Sequence, residues 1–403
     1  MQKKGEVYLM MKRMLCILLA CLLCLGTAAM AEESLVPDIS LDAMPVPETA
    51  AQAFVEDMRL GINLGNGFDA HECGWLTNEL DYESAWCHAK VSETLLDVLK
   101  EAGFNTIRLP VSWHNHVDAG YTISKPWLDR VQQVVDWALA RDFYVIVNIH
   151  HDNNAEFLYP DSKHMEQSTA FITAIWQQLA ERFADYGEHL LFESMNEPRL
   201  VGHRNEWWID ANNADCKDAI RCINELNQIF VDTVRASGSV NATRYLVVPG
   251  YDASPDGVLN AGFVIPTDPN PDNDTRILLG VHAYTPYNFA LDYPGTAKWS
   301  VTNSMNRAEV TGFMDNLYNR YVSKGQPVLL TEFGARDKQG NLAARTQFAA
   351  FYVAAARARG MSCVWWDNNI PAGDGERFGI IDRQTAEWIY PSIVEAMVRY
   401  AAK

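Results

Sequence analysis

Residues 144–151 read Tyr144-Val145-Ile146-Val147-Asn148-Ile149-His150-His151. The first six are β-branched or apolar except for one Asn, and they do not alternate with polar residues. That pattern belongs to a short parallel strand covered on both faces. The run then stops at two adjacent imidazoles, so the strand's C-terminal end carries chemistry rather than a turn signal.

The same pattern recurs along the chain. Comparable runs occupy 61–64, 106–109, 190–195, 245–248, 277–281, 328–331 and 362–366, which makes eight with 144–149. Between them, 91–102, 127–141, 167–186, 217–236, 306–323 and 342–359 carry apolar residues at three- and four-residue spacing, and 388–402 supplies a closing helix. Gly103, Gly187, Gly238, Gly325 and Gly360 stand just past these helical stretches, as C-terminal caps do. Eight strands alternating with helices predict an α/β fold, a (β/α)8 TIM barrel in a single domain. A doubly wound open sheet competes, but it wants GxGxxG after the first strand, and Gly65-Asn66-Gly67 does not supply it.

The 403 residues are 48% hydrophobic and 21% charged, an ordinary globular composition. The formal charge is −18, which repels phosphate backbones and anionic lipid, so neither nucleic acid nor a membrane surface is an expected partner. Lys3, Lys4, Lys12 and Arg13, the apolar run 14–25 and Ala29-Met30-Ala31 read as a signal peptide over 1–31. A lipoprotein signal at Cys21 would split that apolar run. Removing 1–31 leaves 29 basic against 50 acidic residues, or −21, in a secreted chain. A flexible lead is expected over 32–48 and the catalytic barrel over 49–403, as a monomer. Five cysteines remain; Cys73 with Cys87, or Cys216 with Cys222, are possible bridges, and Cys363 reads as a buried small hydrophobe.

In a barrel of this kind, catalytic groups project from the C-terminal strand ends. Those ends present Arg108, then His150-His151-Asp152, Asn196-Glu197-Pro198-Arg199, His282-Ala283-Tyr284, Glu332-Phe333-Gly334 and Trp366-Asp367-Asn368. Two carboxylates in one mouth suit glycoside cleavage, one protonating the leaving oxygen and the other ionised beside the anomeric carbon. Arg108 beside one Glu would lower that carboxyl's pKa. Singly, either Glu could be a helix-capping or surface charge, and the histidines could be satisfied core groups; their joint placement argues for a site.

These segments resemble glycoside hydrolase family 5, the endoglucanase (cellulase) family of retaining (β/α)8 enzymes. The likeness runs from about Gly61 to Asn368 and rests on Asn63-Leu64-Gly65-Asn66 with Phe68-Asp69-Ala70, Arg108-Leu109-Pro110-Val111, Asn148-Ile149-His150-His151, Asn196-Glu197-Pro198, His282-Ala283-Tyr284, Thr331-Glu332-Phe333-Gly334 and Trp365-Trp366-Asp367-Asn368. The first and last resemble the broad endo-β-1,4-glucanase subgroup. The resemblance implies Glu197 as acid/base, Glu332 as nucleophile, Asn196 at the sugar 2-hydroxyl, Tyr284 against the nucleophile and Arg108 orienting it. It also implies His150 and His282 lining the cleavage subsite, Trp366 as its aromatic floor, and His151, Asn63, Asp69 and Trp86 at neighbouring glucose subsites. No cofactor is implied.

The sequence departs from the subgroup's wording at His71-Glu72-Cys73-Gly74-Trp75 and at Trp86-Cys87-His88. Expected substrates are cellulose, mixed-linkage β-glucan or xyloglucan. β-Mannan under the same mechanism, a metal-dependent barrel hydrolase using His150, His151 and His282, and a non-catalytic sugar-binding barrel are the alternatives.

Overall fold

A computed structural model describes residues 34–273, 276–373 and 375–402; the signal-peptide reading of 1–31 lies outside them. Eight parallel strands close into a barrel in chain order: β1 Leu60–Leu64, β2 Thr106–Leu109, β3 Tyr144–Asn148, β4 Leu190–Glu193, β5 Leu246–Pro249, β6 Ile277–His282, β7 Val328–Phe333 and β8 Ser362–Asp367. The last returns to pair with the first, Ile62 opposite Trp365. All eight expected strands are present, and closure excludes the open sheet.

The helices are α1 Ala50–Asp57, α2 Glu93–Ala102, α3 Lys125–Leu139, α4 Met165–Arg182, α5 Ala214–Ala236, α6 Ser304–Arg320, α7 Leu342–Arg357 and α8 Pro391–Ala401. The β5–β6 crossover carries a 3-10 turn, Tyr251–Ala253, and the short helix Pro255–Leu259. The N-cap Ser92 accepts the Leu95 N–H, and Gly103 ends α2 at φ +107°, a conformation that costs a residue with Cβ about 1 kcal/mol or more. Gly238, Gly325 and Gly360 also take positive φ, whereas Gly187 does not, because α4 already ends at Arg182.

The apolar residues separate into two layers. The larger lies between strands and helices. The smaller fills the bottom of the barrel, where Tyr144, Ile146, Leu191, Val247, Leu278 and Leu329 meet α1. Sequence reading missed α1, a helix of only eight residues that plugs the barrel floor. Its Phe54 stacks on Tyr245 at 3.8 Å between centroids and meets Tyr144 edge-on at 5.0 Å; burying such a ring is worth about 1.5–3 kcal/mol. With the lower barrel sealed by hydrocarbon, the inward positions one step higher are polar: Asn63, Arg108, Asn148 and Glu193, all buried.

Two expectations need correction. The lead over 32–48 is not free from Val36 onward. Val36 and Ile39 are buried, the Ile39 N–H donates to Tyr400 Oη (2.8 Å), Tyr400 donates to the Pro37 carbonyl (2.6 Å), and the Met44 N–H donates to the Ala358 carbonyl (2.7 Å). The isolated apolar anchors are too sparse to show a period, so composition alone misread them. Neither candidate cysteine pair is bridged: Cys73, Cys87, Cys216 and Cys222 are buried thiols, as is Cys363 in β8. Among the described residues, no helix is long and apolar enough to cross a membrane.

Candidate active site

Arg108 on β2 is the hub. Its guanidinium is wholly buried, a costly position for a charge unless every donor is matched. Nε donates to Glu193 Oε2 (2.7 Å), Nη1 to Glu332 Oε1 (2.6 Å) and Asn63 Oδ1 (2.9 Å), and Nη2 to Asn196 Oδ1 (2.8 Å). Burial opposes the charge, but Glu193 and Glu332 outweigh it and raise the guanidinium pKa still further. Thus one rigid fork spans β1, β2, β4 and β7.

Glu332 lies near the end of β7, where the register slips between Leu330 and Phe333; the facing slip in β6 comes between Val281 and His282. These irregularities set His282 opposite Glu332. Tyr284 Oη donates to Glu332 Oε2 (2.8 Å), so both carboxylate oxygens accept a fixed donor. Burial and the Glu332 charge raise the Tyr284 hydroxyl well above its ordinary range, which keeps its proton in place for that bond.

His282 Nδ1 lies 2.8 Å from Glu197 Oε1 and 3.6 Å from Glu332 Oε2. One donor atom from each of the three side chains falls within 4.8 Å of the others. Burial pushes the Glu197 carboxyl up, but the His282 hydrogen bond and charge, aided by Arg199, more than offset this and hold it at about 2. Burial also acts most strongly on Glu332, and it leaves that carboxyl above its ordinary value against the pull of His282 and Arg108. Arg108 therefore pulls in the expected direction without deciding the outcome. Groups this close share their protons as a set.

Trp366 lies near the end of β8 and stacks parallel to His150 at 5.8 Å, with 1° between the planes. The ring needs Gly65: a Cβ there would sit 2.5 Å from Trp366 Cη2. His150 Nδ1 lies 3.0 Å from Asn148 Nδ2, which also donates to Glu193. Burial lowers His150 well below its usual range and His151 to about 3, so both are uncharged imidazoles near neutrality. His151 and the half-buried Trp86 continue the aromatic lining outward, with rings 5.9 Å apart.

Asn63 and Asp69 were expected at glucose subsites, and the structure places both out of reach of a sugar. Asn63 is fully buried, its Oδ1 held by Arg108 and its Nδ2 donating to the Thr331 carbonyl (3.0 Å). Asp69 is fully buried, accepts the Asn66 N–H, and sits 3.7 Å behind His151 Nε2; burial raises its pKa to about 7. A motif reports neighbours in sequence, not which way a side chain faces.

Two acidic groups were missed. Glu193, inside β4, is the only charge in the run 190–195, and that interruption was its visible signal. Asp252 follows β5 at φ +56°, and its Oδ1 is buried without a hydrogen-bond partner; burial and nearby Glu197 raise its pKa well above the usual range. An acid just after a strand was the signal used for Glu332, and it applied here too.

Residues 66–371 match the family model for cellulase (glycosyl hydrolase family 5). The chain belongs to glycosyl hydrolase family 5. The matched span of this glycoside hydrolase contains the network from Arg108 to Trp366. Endoglucanase 1 of Ruminococcus albus is 39% identical over 365 residues, 90% of this chain and 84% of that protein. Cellulase/esterase CelE of Acetivibrio thermocellus is 37% identical over 357 residues, 88% of this chain; the chain spans 41% of CelE's length. Among solved structures, a GH5 family lichenase from Caldicellulosiruptor sp. F32 superposes with a TM-score of 0.89 at 53% identity, covering 91% of this chain and 99% of that one. Family 5 membership thus agrees with the barrel and with its polar mouth.

Proposed function

We propose that this glycoside hydrolase is a secreted, retaining endo-β-1,4-glucanase. It cleaves internal bonds of accessible β-glucans, namely amorphous cellulose, mixed-linkage glucan and xyloglucan. The observation that carries the reading is the convergence of Glu197, His282 and Glu332 donor atoms within 4.8 Å at the C-terminal ends of the strands. Retention calls for carboxyl groups roughly 5–5.5 Å apart, close enough for one to bond the anomeric carbon while the other protonates the leaving oxygen.

Glu332 is the nucleophile in this reading. Both its oxygens accept hydrogen bonds, from Arg108 and Tyr284, and a proton placed there would displace one of them. The free site favours the reverse distribution, with Glu197 held low by His282 against burial and Glu332 raised by burial. This reading therefore requires bound sugar to move the shared proton to Glu197 Oε2, which has Arg199 at 3.5 Å. Glu197 then acts as acid in the first step and base in the second. Asn196 is turned by Arg108, which holds its carbonyl oxygen and leaves its NH2 for the sugar 2-hydroxyl. His150 and Trp366 wall and floor the subsite; a pyranose lays its C–H face on such a ring.

Endoglucanase 1 and the lichenase support a β-glucan substrate. Hydrolysis of carboxymethylcellulose, mixed-linkage glucan, xyloglucan and β-mannan side by side tests it, with mannan expected to be slowest. Proton NMR of the first product is expected to show the β-anomer before mutarotation. An α-anomer appearing first would refute double displacement. Trp366→Ala removes the ring that floors the subsite and backs His150, so kcat/KM is expected to fall by about 10-fold or more. Initial rates on cello-oligosaccharides check this.

A further inference from the structure

The segment that departs from the subgroup's wording, His71-Glu72-Cys73, faces His114 from the β2 loop, and one donor atom from each of His71, Glu72 and His114 lies within 4.8 Å of the others. His114 Nε2 is 3.1 Å from Glu72 Oε1. Two ligands on a tetrahedral ion with bonds of about 2.0–2.2 Å stand about 3.3 Å apart, so this pair is already at ligand spacing.

The second observation concerns the far side of the same ring. His114 Nδ1 is 2.9 Å from Oδ1 of Asp152, which is fully buried and also accepts the backbone N–H groups of Trp113 (2.9 Å) and His114 (2.7 Å). That carboxylate is held in place and keeps the ring's proton at Nδ1. With Nδ1 committed to Asp152, Nε2 faces the Glu72 carboxylate at 3.1 Å, a spacing that holds a cation between the two groups. A proton can supply it, and so can a metal ion. A histidine that donates its remote N–H to a buried carboxylate is the usual arrangement behind a metal-binding imidazole.

We propose that His71, Glu72 and His114 form a site for a divalent transition ion of the zinc class, with Asp152 orienting His114. Two imidazoles and one carboxylate suit zinc, cobalt or nickel, whereas calcium and magnesium take oxygen donors. Glu72 is 71% exposed at its side chain and opens the site to solvent. The site stands apart from the carboxyl pair. It reaches the groove through His71, whose ring is 5.0 Å from Trp86 and 5.1 Å from His151, so a bound ion braces the outer wall without entering the chemistry.

The other donor sets are committed elsewhere. Asp69 with His150 and His151 is tied up by Asn66 and Asn148, and Glu197 with His282 and Glu332 is the proposed reaction centre.

Calorimetric titration of the untagged, metal-stripped protein with zinc chloride near neutral pH tests the proposal. One ion per chain is expected to bind, more weakly at about pH 5.5, where protons compete for the imidazoles. His71→Gln and Glu72→Gln, both outside the packed core, are expected to weaken binding by about 30-fold or more, and His151→Gln by little. Cobalt(II) in the site should give the visible absorption of a tetrahedral ion, lost in His71→Gln. No zinc binding by the unaltered protein, or undiminished binding in both His71→Gln and Glu72→Gln, would overturn the assignment.

Discussion

Glu332→Ala is expected to reduce turnover of β-glucans by about 10^4-fold or more, the scale on which removing an enzyme's nucleophile acts. The substitution removes the only carboxylate that receives both Arg108 Nη1 and Tyr284 Oη, so nothing remains to form the covalent glycosyl intermediate. It also leaves Arg108 with one fewer partner, and breaking a buried pair costs about 3–5 kcal/mol. Glu193, 2.7 Å from Arg108 Nε, still balances the guanidinium charge, so the barrel is expected to fold. Azide distinguishes lost chemistry from lost structure. It fits the space vacated by the carboxylate, attacks the anomeric carbon from the same side and yields an α-glycosyl azide from an activated β-glucoside. Mass and NMR analysis of the product checks this; a variant that turns over at near-native rate without azide would end the assignment.

Glu197→Ala is expected to behave differently. Losing a general acid costs about 10^2–10^4-fold when the leaving oxygen needs a proton. A dinitrophenyl leaving group departs as a stable anion, so its glycosylation step should be nearly spared while hydrolysis of the intermediate, which needs the base, slows. A burst of dinitrophenol followed by slow turnover is the expected trace. The native acid limb belongs to the Glu197–His282–Glu332 set rather than to one carboxyl. With Glu197 removed, Glu332 loses the like charge that helps to raise its pKa, so the acid limb of kcat/KM should move to lower pH. Equal losses on activated and unactivated substrates would contradict the acid role.

Much of this was legible in the chain itself. Each strand is a local apolar run, and periodicity reports it without knowledge of partners. Residues just beyond such runs were readable for the same reason, and Arg108, Glu197, His282, Tyr284, Glu332 and Trp366 do converge at one mouth. What escaped depended on direction. Asn63 and Asp69 lie in the same motif stretches as groove residues, yet their side chains turn into the wall. Glu193 sits within a strand rather than after it, and only the parity of a closed barrel turns it toward Arg108. The eight-residue α1 and the anchors Val36 and Ile39 are too short for a periodic signal, although both segments are packed.

The sequence by itself determined the number and order of the strands and the kinds of groups at their ends, because hydrophobic periodicity acts over a few neighbouring residues. Only the tertiary structure decided which of those groups meet. Arg108 reaches Glu193 across 85 positions and Glu332 across 224. Slips in β6 and β7 set His282 opposite Glu332. Charge balance around a buried guanidinium is a property of the closed barrel, since it requires partners from strands that no local pattern brings together.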